Sequence, residues 1–147
     1  MTLKVIADAI AAKYLGATAT IGSTTESLVS APTASLPNTV AATPVILVYH
    51  PAGQLEVVMS RIRQDDYDFP VRLLRDPTDY PARSDWLYAW HDALRDRLRD
   101  GDTLGPDPRT SGRIVAARLE LDGQEYARVK FDVVEYIVRV HVGDLQP

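Results

Sequence analysis

Three histidines, at positions 50, 91 and 141, are the side chains best suited to proton transfer near neutral pH or to binding a transition metal. They fall on three different predicted elements, and none belongs to an H-E-x-x-H pair or another recurring ligand spacing. Each is expected at a surface or a core boundary. Asp65, Asp66 and Asp68 form a tight carboxylate cluster, and clustered carboxylates can hold magnesium or share a proton. That pattern would suit a small metal-dependent hydrolase or nuclease. No second acidic cluster stands at a readable spacing, so a solvated loop is the expected reading. Asp100-Gly101-Asp102-Thr103-Leu104-Gly105 opens like a calcium loop, but its fifth position is Leu104 and its twelfth is Ser111, which leaves too few oxygen ligands. The chain has no cysteine, which excludes a thiol nucleophile, a thiolate metal site and a disulfide scaffold. There is no G-x-S-x-G elbow, and Gly16 and Gly22 lie in a Thr-rich stretch without the lysine of a phosphate loop. No catalytic centre, metal site or cofactor is expected.

The elements that would carry these residues follow from hydrophobic spacing. Leu3, Ile6, Ile10 and Tyr14 form one stripe of a helix over 3–15, stopped by Gly16. Residues 17–43 hold eleven Ser or Thr and six Ala but a single charge, Glu26. This segment reads either as an extended loop or as a pair of short strands, and the favoured reading is one strand near 17–22 followed by a loop. Pro44 to Tyr49 is an apolar run with the profile of a strand buried on both faces. Residues 55–63 and 66–75 read as two further strands. Pro70 assigns the second of these to a sheet edge or a bulge. A second helix is predicted over Ser84–Asp100, capped by Ser84 or Asp85, with Leu87, Trp90, Leu94 and Leu98 buried. Residues 113–121 alternate as a strand, Asp122-Gly123 is a hairpin-turn signal, and 125–142 is a long last strand with a bend or bulge near 130–132. Its buried face is Val134, Tyr136, Val138, Val140 and Val142.

Length and charge narrow the function. A chain of 147 residues forms one domain by the usual prior. The formal charge of −4 leaves no basic excess for gripping nucleic-acid phosphates. No apolar run reaches the length of a membrane helix, and the N-terminus has no signal-peptide core. Residues 61–100 hold eight Arg and nine Asp with no Lys or Glu. Arg–Asp pairs are planar and bidentate, and they fix orientation in a way that suits subunit interfaces as well as solvated surfaces.

The order of these elements resembles the tail terminator proteins of long, non-contractile-tailed bacteriophages. The resemblance runs from about Leu3 to Val142. It is carried by the N-terminal amphipathic helix and by the proline-led strand Pro44-Val45-Ile46-Leu47-Val48. The charged stretch Arg61–Asp68 follows, entering strand Phe69-Pro70-Val71-Arg72-Leu73. Helix Ser84–Arg99 and the terminal pair Arg113–Leu121 and Tyr126–Val142 complete it. These are hydrophobic patterns, and neighbouring neck proteins share some of them.

The resemblance implies an α+β fold: a mixed, largely antiparallel sheet of four to six strands with two amphipathic helices packed on it. It implies a structural virion protein at the tail–head interface, assembled in the host cytoplasm. Such proteins form a hexameric ring that caps the tail tube, ends its polymerisation and joins the tail to the head. The implied partners are other copies of the chain, the tail-tube protein and head–tail connector proteins, with DNA passing through the channel without specific binding. A ring needs two different patches that meet head to tail. Arg61, Arg63, Asp65, Asp66, Asp68 and Arg72 are the interface candidates, chosen for their clustered charge. The competing readings are a head-completion or connector protein of the same neck, a binding module of unstated ligand, and the small metal-dependent hydrolase above.

Overall fold

A computed structural model describes residues 2–51, 56–58, 61–63, 66–77 and 82–142, with 56–58 and 61–63 as backbone only. Helix α1 (Leu3–Lys13) is capped by Thr2, whose hydroxyl accepts from the Val5 N–H. Its stripe Ile6, Ile10 and Tyr14 is fully buried. The hairpin β1 (Thr18–Ile21) and β2 (Thr24–Ser27) follows, and its register leaves Gly22 and Ser23 as the turn. The second strand replaces the loop expected after residue 22: the β-branched Thr24 and Thr25 pair across to Ile21 and Thr20.

Strand β3 (Val45–Val48) is buried at every position, as its apolar run predicts. Two three-residue strands, β4 (Glu56–Val58) and β5 (Arg61–Arg63), pair antiparallel with each other. They replace the single strand expected over 55–63. Strand β6 (Asp66–Arg75), helix α2 (Arg83–Leu94), and strands β7 (Asp102–Thr103), β8 (Ser111–Tyr126) and β9 (Val129–His141) complete the chain.

The main sheet has five antiparallel strands in the order β3-β6-β9-β8-β7. The α+β architecture read from the sequence is the one observed. The two helices pack on one face, over Ile46, Val48, Phe69, Val71, Leu73, Val134, Tyr136, Val138 and Val140. On the opposite face a smaller cluster of Val45, Leu47, Leu74, Phe131 and Val133 is joined by Val40 and Tyr126. Among the described residues no helix is long and apolar enough to cross a membrane.

Pro70 corrects an expectation. Strand β6 is interior, between β3 and β9. The Pro70 carbonyl accepts from the Tyr49 N–H, one residue past the end of β3. A residue's N–H and C=O point to the same side of a strand, so the N–H that proline lacks would also face β3. No ladder bond to β9 is lost, and an interior proline is tolerated.

Asp122-Gly123 is also not the turn. The β8–β9 pairing runs past it to Tyr126↔Val129 and reverses at Ala127-Arg128, both at positive φ (49° and 69°). That is the pattern of a two-residue type I′ turn, here built without glycine. Residues 121–123 instead form a bulge, three residues opposite Asp132 alone. Gly123 is required there, since a Cβ would lie 2.7 Å from both Glu120 Cβ and Val133 Cγ1.

Helix α2 also differs at its ends. It starts at Arg83, before the expected Ser84 or Asp85 cap, and no side chain caps it. It leaves regular α-helix after Leu94, although Leu98 is still buried.

The Tyr14 hydroxyl is buried with no hydrogen-bond partner among the described residues, and burial pushes its ionisation above the ordinary tyrosine range. An unpaired buried hydroxyl costs free energy. Tyr14→Phe is therefore expected to stabilise the protein by about 1 kcal/mol, read as a higher urea midpoint.

Candidate interface on the open sheet face

Side chains on a strand alternate between faces. With Leu73 on the helix side, Asp66, Asp68, Pro70 and Arg72 of β6 lie on the opposite face. Register places His141, Arg139, Ile137 and Glu135 of β9 directly across from them. Two of these four rungs are ion pairs, and a third joins a carboxylate to an imidazole. Asp66 Oδ1 is 2.9 Å from His141 Nδ1. Asp68 receives a two-point hydrogen bond from Arg139 at 2.9 and 3.0 Å. Arg72 donates to Glu135 and lies 4.3 Å from the centre of the Tyr49 ring. Arg118 of β8 extends the row, donating to Glu135 at 3.3 Å and also to Glu120.

The rungs differ in strength. Side-chain exposure is 59% and 58% for His141 and Asp66, and 22% and 12% for Arg72 and Glu135. The exposed rungs are worth roughly 0–1 kcal/mol each and weaken with salt. At Glu135 burial raises the pKa, but hydrogen bonds from Arg72 and Arg118 outweigh it and hold the carboxyl below its ordinary range. Asp68 is lowered by the hydrogen bond from Arg139, against a smaller opposing effect of burial. These two carboxylates stay charged well into the acid range.

The sequence candidates separate on this frame. Asp66, Asp68 and Arg72 share one face, and each is engaged within its own chain. Arg61 and Arg63 lie on β5, in the separate hairpin, and Asp65 falls outside the described residues. Arg118, Glu135, Arg139 and His141 belong to the same surface and were not among the candidates. The alternation of β9 placed Glu135, Arg139 and His141 on one face. Their pairing with β6 depends on register, which no local pattern encodes.

No group of three or more His, Asp or Glu side chains is placed to hold a metal ion among the described residues. His91 hydrogen-bonds the Tyr136 hydroxyl at 2.7 Å, and His50 is exposed.

The edges of the main sheet are unequal. Beside β3, the Thr33 N–H donates to Ile46 O at 3.2 Å and the Thr33 carbonyl accepts from Val48 N–H at 2.9 Å, so this edge is covered. At the other side β7 pairs only with Ser111 and Gly112. From Arg113 to Tyr126 the outer backbone of β8 has no ladder partner among the described residues. Val115 and Leu121 on this edge are 39% and 40% exposed. A long edge of this kind is a template for pairing with another chain. No protein-family model, curated protein or solved structure matches the chain.

Proposed function

We propose that the protein is a structural ring subunit of the tail-terminator kind, acting by shape and self-association and not by catalysis. The open outer side of β8 carries this reading. From Arg113 to Tyr126 its outward-facing backbone groups have no ladder partner among the described residues, a liability in a monomer and an asset in an assembly.

The edge also limits how copies can join. Pairing β8 with β8 of a second copy would be two-fold and would stop at a dimer. A ring needs the edge to meet a different surface. The β4–β5 hairpin, which carries Arg61 and Arg63, supplies one. A two-stranded hairpin is marginal alone in water, and adding it to the edge of a neighbour stabilises both. In this reading six copies close a ring that caps the tail tube in the virion, with the tail-tube protein on one side and connector proteins on the other. DNA passes through the channel unbound.

The test follows from backbone direction. The Pro70 N–H and C=O side faces β3, so its partner Ile137 directs its own groups at β8. Ala116 lies opposite Ile137 and Ala117 is the next residue. Ala116 therefore bonds to β9, and the Ala117 N–H faces outward. Ala117→Pro is expected to keep a cooperative melt and lose the oligomer in sedimentation, with Leu119→Pro, the next outward position, as a second variant. Ala116→Pro is expected to destabilise the fold itself. A wild-type protein that stays monomeric at high concentration, or an oligomer unchanged by both outward prolines, overturns the proposal.

A further inference from the structure

The covered edge of the main sheet is closed by a strap, residues 28–44. The two ends of the strap are tied together where the Val29 N–H donates to the Pro44 carbonyl at 3.0 Å. Between them one residue, Thr33, makes a strand-like contact with β3, a parallel bridge to Leu47. Its bonds go to Ile46 O and the Val48 N–H. The strap also carries Pro32 and Pro37, so it closes the β3 edge without offering a new one to pair with.

The strap is lightly held, and the strand beneath it is not. No residue from 28 to 43 is charged and none is buried. Its further fastenings include Lys4 Nζ donating to Ser35 Oγ at 3.0 Å and the Tyr126 hydroxyl donating to the Pro37 carbonyl. Strand β3 is buried at every position. Segments with little buried apolar surface open at the low end of local stability, so the strap lifts while β3 stays in the sheet. Lifting it frees Ile46 O and the Val48 N–H along an apolar, uncharged strand, which is a template for pairing.

We propose that the strap is a detachable guard that confines self-association to β8. With the strap seated, copies join through one open edge only. With it lifted, β3 pairs with β3 of a second copy. The same strand on both sides makes a two-fold contact, which closes as a dimer. The proposal rests on the ring reading only in taking β8 as the assembly edge.

Amide hydrogen exchange reads the guard directly. The Val48 N–H bonds to the strap, whereas the Leu47 N–H, on the alternate side, points to β6. Val48 is expected to be at least about tenfold less protected than Leu47. Thr33→Pro removes the N–H that bonds to Ile46 O. In the Ala117→Pro background, where the β8 edge is blocked, it is expected to keep a cooperative melt and to add a dimer in sedimentation. Tyr126→Phe, which releases Pro37, is the second loosening variant and carries the test should Thr33→Pro fail to fold. Equal protection of Val48 and Leu47, or a protein that stays monomeric in the Ala117→Pro background with the loosening changes, overturns the guard. A wild type that is monomeric by itself overturns the ring reading alone, and the same loosening variants then test the guard without Ala117→Pro.

Discussion

Asp132→Ala is expected to lower stability by about 3 kcal/mol, near the lower end of the cost of breaking a buried ion pair. Asp132 is fully buried. Its carboxylate accepts from Arg83 Nε at 3.0 Å, from Arg83 Nη2, and from the Asp122 backbone N–H at 2.9 Å. The same side chain thus ties together the start of α2, the bulge of β8 and the body of β9. Helix α2 has no side-chain cap, so this fork is what anchors its first turn. The hydrogen bond to Asp132 also holds the Arg83 guanidinium more firmly protonated than usual. Removing the carboxylate leaves Arg83 with Asp122, at 3.0 Å and nearly half exposed, as a weaker partner. Urea unfolding should show a lower midpoint with an unchanged slope. Asp132→Asn, which keeps the shape and loses the charge, should fall between the two.

Glu26→Ala should cost a similar amount, about 3 kcal/mol, and lower the melting temperature by about 6–12 °C for a domain of this size. Glu26 accepts from the Trp90 indole N–H at 2.7 Å and from Arg75 Nε and Nη2 at 3.0 Å. The Arg75 side chain is only 5% exposed, and its guanidinium lies 5.0 Å from the Trp86 ring centre. This carboxylate ties the β1–β2 hairpin to both α2 and β6, in addition to the packing of Ala19 and Ile21 in the same core. Its loss takes an anion from a buried cation and an acceptor from a buried indole at once. Glu26→Gln retains an acceptor for Trp90 and should be milder. Calorimetric melts of the three proteins would rank them.

What could be read from the sequence was what depends on spacing. Ile6, Ile10 and Tyr14 on α1, and Trp90, Leu94 and Leu98 on and after α2, are buried as their helical period requires. The alternation of Val134, Tyr136, Val138 and Val140 identified the buried face of β9 for the same reason. What escaped depends on partners distant in the chain. Pro70 looked like an edge marker because its N–H is missing, and only its pairing with Tyr49 past the end of β3 shows that no ladder bond to β9 is lost. Asp122-Gly123 carries the usual turn chemistry, but Asp132, across the ladder, draws the Asp122 N–H into a bulge and the chain turns at Ala127-Arg128. The candidate interface was legible in half: Asp66, Asp68 and Arg72 stood out by charge. Their partners Arg139, His141 and Glu135 lie more than sixty residues away.

The two tryptophans of the chain occupy the same corner, one beneath the Arg75 guanidinium and the other bonded to Glu26. Intrinsic ultraviolet emission from this protein is therefore a local gauge. It follows the seating of the first hairpin against the second helix, and a hairpin that lifts away would change the colour of the glow before the rest of the molecule melts.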